Sequence, residues 1–347
     1  MAANSARMEM TSAGEGLFLE VVDMRTPFSV RCLLAEIPFR QPKCYLRPPG
    51  ARLPIMFRPE GVITAMVTPF EESGAVDEAA TRNLARFLLE NGSHGLVAAA
   101  TTGESTTLDD TEHIGVLRAV VDEVGDEATI VCGTGTNDTR HTIELTKAAA
   151  DAGAEAALVV TPYYNKPNPA GVLAHFEAVA SAVPDLPLIV YNIPSRVIVN
   201  ISPVELAELA KIDNVVGVKQ ANNDDLGPID GMAVLSGNDD IFLRTLELGL
   251  AGGITVASHV VGPQMREVWD AVEAGDLDRA REVEATLRPL FDALSVTTNP
   301  MPIKAALEMT GTIPSGTMRL PMVELDEAQR GVVREALEGV GLTVTAG

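Results

Sequence analysis

A chain of 347 residues, 46% apolar and with a mean hydropathy of +0.15, holds one large domain or two ordinary ones and buries a sizeable core. Its formal net charge of −22 excludes nucleic acid and anionic membrane as partners, since both surfaces repel it, and leaves solubility as the plain reading. Three scattered cysteines supply neither a disulfide framework nor metal-ligand spacing, and there is no membrane-length apolar run or signal peptide, so a reducing cytoplasm is expected.

Residues 1–59 differ in character from the rest of the chain. They hold two of the three cysteines, seven of the 22 prolines and a charge of +3, which leaves −25 for the remainder. No sustained period of 2 or 3.6 runs through them, so they are expected to be a disordered extension or the product of a misassigned start. From Gly61 short apolar runs alternate with amphipathic stretches: GVITAMV (61–67), GLVAA (95–99), TIVCG (129–133), AALVV (156–160), PLIVY (187–191), VVGVK (215–219), AVLSG (233–237) and GITVA (253–257). Helix signals lie between them, such as Asp77 before EAATRNLARFLLE and Ser202-Pro203 before VELAELA. The weakest helix lies between Lys219 and Ala233, where Gly227-Pro228 interrupts it. Apolar strands flanked by helices mean a parallel sheet covered on both faces. Eight such units predict a (β/α)₈ TIM barrel over 60–275, with a small C-terminal helical layer over 276–347. An open doubly wound sheet carries a Gly-rich fingerprint after its first strand, and MVTPFEES is not one.

Barrel chemistry sits at the C-terminal strand ends. Lys219 follows an apolar strand, so its stem rises into the barrel mouth, where desolvation favours the neutral amine that attacks a ketone. A stem snorkelling past the strand end into solvent fits the same position. The tyrosines weigh against that. Three of the chain's four, Tyr163, Tyr164 and Tyr191, stand at two adjacent strand ends, where a phenol can exchange protons through the hydroxyl of Thr101 or Thr102. Arg196, in a loop stiffened by Pro194, offers a fork suited to a carboxylate, although a surface ion pair also explains it.

The segments GVITAMVTPF, TTGES, GTGTND, VVTPYYNKP, YNIPSR, GVK, LSGND and GGITV, in this order, resemble the dihydrodipicolinate synthase family. The likeness runs from about Gly61 through NPMPIKAAL (299–307) and RLPM (319–322). It implies a lyase that condenses pyruvate with L-aspartate 4-semialdehyde in lysine and diaminopimelate biosynthesis, using neither metal nor organic cofactor. Lys219 is then the Schiff-base nucleophile and Tyr191 the proton donor and acceptor. Thr101 relays protons, with Tyr164 reaching in from a neighbouring subunit of a homotetramer built as a dimer of dimers. Thr101 and Thr102 hold the pyruvate carboxylate, Gly237 and Ile254 complete the substrate contacts, and Arg196 holds the aldehyde's carboxylate.

The sequence departs from the family's pattern in places. Ala100 replaces a glycine before Thr101-Thr102, Gln220 stands where an acidic residue is common, and Val197-Ile198 replace a frequent Thr-Gly pair. The Val197-Ile198 change lies beyond Arg196, on the side of the second substrate rather than of pyruvate. The rival reading is another pyruvate-dependent aldolase of the same fold, acting on N-acetylneuraminate or a 2-keto-3-deoxy sugar acid, whose members typically lack the counterpart of Arg196. A non-catalytic binding barrel would not need Lys219, Tyr191, Thr101 and Tyr164 together.

Overall fold

The computed structural model describes residues 57–344 and three strands nearer the N-terminus. Those strands, β1 (Ala6–Ser12), β2 (Leu17–Asp23) and β3 (Ser29–Leu34), pair antiparallel with Met10 opposite Leu19 and Leu19 opposite Cys32. They belong to a compact unit of their own, Met1–Leu53. The extension, read from sequence as lacking periodicity, therefore carries strands: Met8 and Met10 alternate with polar neighbours in a run too short to stand out. The remainder of the expected disordered arm lies outside the described residues.

The apolar runs from Gly61 onward form eight parallel strands. They are β4 (Gly61–Ala65), β5 (Gly95–Ala98), β6 (Thr129–Gly133), β7 (Ala156–Val160), β8 (Leu188–Asn192), β9 (Val215–Gln220), β10 (Ala233–Ser236) and β11 (Gly252–Thr255). The sheet closes in the order β10-β11-β4-β5-β6-β7-β8-β9, so no edge is left to pair with another chain. Alternate residues serve two cores. Ile63, Val97, Val131, Leu158, Ile189, Leu235 and Ile254 fill the barrel, while Val62, Leu96, Ile130, Val190, Val218 and Val234 pack under the helices. This is the expected (β/α)₈ barrel.

Local signals account for the helices. Asp77 caps Glu78–Glu90 by accepting from the Ala80 N–H at 2.9 Å, and Ser202 with Glu205 forms a capping box on Pro203–Leu209. Each cap is worth about 1 kcal/mol. The expected weak helix after Lys219 reduces to one 3₁₀ turn, Asn223–Asp225, because Gly227-Pro228 leaves no room to propagate it. Helices Leu277–Ala293, Met301–Met309 and Glu327–Gly339 make the C-terminal layer, and Leu287, Ile303 and Val333 share one core with Val62 and Met265 of the barrel. Among the described residues no helix is long and apolar enough to cross a membrane.

Buried histidines link this packing to pH. His259, 1% exposed, accepts the Val67 N–H on Nε2 at 3.1 Å and donates from Nδ1 to the Val256 carbonyl at 2.8 Å. Protonating Nε2 would set two donors against each other, and burial pushes the imidazole down to about 4 from 6.5. His175, which bonds Thr139, is also pushed down to about 4 by burial. With the folded value below the unfolded one, the stabilisation is complete above pH 6.5 and is lost as pH falls towards 4. His259 accounts for roughly 3 kcal/mol of it. Urea midpoints should therefore already drop between pH 6.5 and 5, before most carboxylates titrate. His259→Gln, which keeps an acceptor for Val67 but takes up no proton, should flatten that drop; an equally steep fall in the variant contradicts the assignment.

Candidate active site

Strand pairing delivers the two central groups. Tyr191 on β8 lies opposite Lys219 on β9, so equal phase turns both side chains into the barrel mouth. Lys219 is 3% exposed and Tyr191 4%, and the lysine Nζ lies 4.4 Å from the tyrosine ring centroid. Gln220, one residue on, faces the helix layer instead, where its Oε1 accepts from Asn192 Nδ2 and the Asn222 N–H, each at 3.0 Å. An acidic side chain at this position would accept the same bonds, so the amide keeps the acceptor without the charge.

The loop after β5 is tightly coiled. Ala99 and Glu104 adopt left-handed φ of 49° and 53°, and Ser105 N–H reaches back to the Ala100 carbonyl at 3.1 Å. Ala100, the departure from the family's glycine, fits because its neighbour is Gly133: a Cβ there would lie 2.7 Å from the Ala100 Cβ. Thr102 is 2% exposed and accepts from Asn299 Nδ2 at 3.0 Å. Thr101 lines a cavity of about 250 Å³ together with Tyr163, Arg196 and Asn299. Arg196 donates to the Asn299 main-chain carbonyl at 2.8 Å, which aims its guanidinium at the cavity rim.

Of the remaining predicted residues, Ile254 is fully buried on β11 inside the barrel. Gly237 packs so closely on Ala221 that a Cβ would stand 2.7 Å from that residue's own. Tyr164 does not join the others within this chain: it is 86% exposed on a left-handed turn with φ 66°. Ile198, next to the rim arginine, holds φ 70°, a strained state for a β-branched residue where glycine would be relaxed.

Three features escaped the sequence reading. Asn299 is one. Asp239 is another: its Oδ1 accepts the N–H groups of Val256 and Ala257 at 2.8 and 3.0 Å, and burial raises its carboxyl against those bonds and the pull of Lys219. The third is an ionic network beneath the β5 loop. Lys304, fully buried, donates to Glu104 Oε1 at 2.6 Å and to the Thr317 carbonyl at 2.8 Å. Glu104 Oε2 accepts the Arg319 N–H, and the Arg319 guanidinium grips both oxygens of Glu112 at 2.6 and 2.7 Å. Burial lowers the Lys304 amine while Glu104 raises it, and because that amine is engaged on two sides it is no nucleophile. Partners some 200 residues apart leave no local pattern to read. Among the described residues no group of His, Cys, Asp and Glu is arranged to hold a metal.

The chain is similar to known proteins over its barrel and C-terminal helices. Residues 58–340 match the Dihydrodipicolinate synthetase family. A 4-hydroxy-tetrahydrodipicolinate synthase from Parasynechococcus marenigrum is 44% identical over 289 residues, 81% of this chain and 95% of the relative. One from Symbiobacterium thermophilum is 46% identical over 290 residues, 81% and 98% of the two chains. Among solved structures, the chloride-inhibited dihydrodipicolinate synthase from Acinetobacter baumannii complexed with pyruvate superposes with a TM-score of 0.79 at 40% identity, covering 82% of this chain and 99% of that one.

The buried pair makes a stability prediction. Lys304→Met leaves Glu104 charged, buried and without its counter-ion, and should cost about 3–5 kcal/mol in urea unfolding. Lys304→Met with Glu104→Leu removes both charges and should recover much of that loss. A double variant as unstable as the single one would mean that packing, not charge, dominates.

Proposed function

The chain belongs to the dihydrodipicolinate synthetase family, and we propose that it joins pyruvate to L-aspartate 4-semialdehyde through a Schiff base on Lys219. The observation that carries this reading is the pairing of Lys219 with Tyr191, amine over phenol at 4.4 Å with both side chains buried in the barrel mouth. The lysine amine adds to the pyruvate ketone and water leaves, giving an iminium. The iminium draws electrons from the methyl group, which loses a proton to become an enamine carbon. That carbon attacks the aldehyde, and ring closure by the substrate's own amine expels Lys219.

Proton movement falls to Tyr191, with Thr101 as relay and Tyr164 supplied by a neighbouring subunit. The outward, left-handed setting of Tyr164 supports that last role, because a phenol 86% exposed in its own chain is accessible to a neighbouring one. Thr101 and Thr102 hold the pyruvate carboxylate, with Gly237 and Ile254 bounding the pocket. Arg196 receives the aldehyde's carboxylate, and its tether to Asn299 supports a fixed rim position. We place the enzyme in the cytoplasm as a homotetramer, with residues 1–59 an extension outside this chemistry.

Two experiments test the assignments. Borohydride reduction with pyruvate should add one three-carbon unit per chain, found on Lys219 by peptide mass mapping, and Lys219→Arg should abolish it because a guanidinium stays protonated. An adduct on Lys166 or Lys304 would overturn the mechanism. Arg196→Ala should leave that adduct intact and weaken use of aspartate semialdehyde by about 1.5–3 kcal/mol, the worth of a charge-assisted contact. Unchanged kcat and KM for the aldehyde would turn attention to keto-deoxy sugar acids.

A further inference from the structure

We infer that Asn299 is a positioning residue for pyruvate, whose side-chain amide holds the Thr102 hydroxyl as a donor aimed at the substrate carboxylate. This rests on the proposed role of Thr102. A threonine hydroxyl has one proton and two lone pairs, so it can serve a neighbour in either direction. A carboxylate only accepts. The Asn299 Nδ2 carries only protons, and its 3.0 Å contact with Thr102 Oγ1 makes the hydroxyl the acceptor there. The hydroxyl's own proton is left for a second partner. With Thr102 2% exposed, bulk water does not compete for it.

Asn299 is well anchored for this task. It directly precedes Pro300 and the helix Met301–Met309, whose Lys304 is clamped by Glu104 from the same loop that carries Thr102. The residue also holds Arg196, which lines the cavity beside it, through a different atom: its main-chain carbonyl accepts the Arg196 guanidinium at 2.8 Å. One residue thus touches both proposed carboxylate-binding groups, with the side chain on the pyruvate arm and the backbone on the aldehyde arm. Changing the side chain disturbs only the first. A general loss of structure would disturb both.

Steady-state kinetics on the full chain separates these cases. Asn299→Asp turns the donor into an acceptor, draws the Thr102 proton away from pyruvate and brings a second negative charge near its carboxylate. KM for pyruvate should rise about tenfold or more, while KM for aspartate semialdehyde stays within about twofold. Asn299→Ala, which deletes the amide without adding charge, should raise the pyruvate KM less, by about threefold, and carries the test if the Asp variant does not fold. Adding Asn299→Ala to Thr102→Val should change nothing beyond the effect of Thr102→Val alone, because the amide acts through that hydroxyl. An unchanged pyruvate KM in Asn299→Asp, equal rises in both KM values, or additive effects in the double variant would overturn the inference. Borohydride trapping separates its failure from that of the proposed function. A wild-type chain that forms no pyruvate adduct defeats the function, whereas wild type and Asn299→Asp trapped to the same extent at every pyruvate concentration defeat only the role of Asn299.

Discussion

In a closed parallel barrel, each strand's register relative to its neighbours decides whether a side chain enters the mouth or the helix layer. β9 shows what depends on this: Lys219 points inward beside Tyr191, and Gln220 points outward into a web of amides. A slip of one residue would turn Lys219 out of the mouth into the helix layer and bring Gln220 or Val218 into its place. Closure prevents the slip. With β9 bonded on one side to β8 and on the other to β10, shifting it would break the pairing of both neighbours together. The chemistry of the mouth therefore rests on backbone hydrogen bonds that carry no chemistry of their own.

The second support is electrostatic. The β5 loop, left-handed at Ala99 and Glu104, is held in that shape from below by the Lys304 amine and the Arg319 backbone. A buried ion pair recovers little net energy once desolvation is counted, so its value here lies in specificity: a carboxylate gripped by the Lys304 amine on one oxygen and the Arg319 N–H on the other admits one loop position. The C-terminal helices thus act as more than a cover for the barrel. They carry the counter-charge, and Asn299, just before Met301–Met309, itself lines the cavity.

How much of this was legible in the sequence depends on the range of each interaction. The barrel was readable because a strand buried on both faces writes a continuous apolar run, and eight runs at regular intervals admit few other folds. Lys219, Tyr191 and Arg196 were readable because they are polar residues at the ends of such runs. Asp77 and Ser202 announced their helices within four residues. Asn299, Asp239 and the Glu104–Lys304 pair were not readable, since their meaning lies in partners that the fold alone brings near. The strands of the N-terminal segment failed for another reason: their alternation is brief and set among prolines and mixed charges, where a period of two carries little weight.

The distance along the chain between these partners also sets the order in which a growing polypeptide becomes complete. Translation delivers Glu104 early and Lys304 late, with Asn299 and Arg319 beside it in the final stretch. All eight barrel strands have left the ribosome by then, since the last ends at Thr255. The nascent barrel must hold an acidic loop without its cation until synthesis is nearly over, and the cavity wall gains Asn299 only at that stage. Contacts spanning some 200 residues are slow to form because a long loop must close before they stabilise anything. A ribosome that stops between residues 255 and 299 releases a chain that contains all eight barrel strands but not the Asn299 side of the cavity.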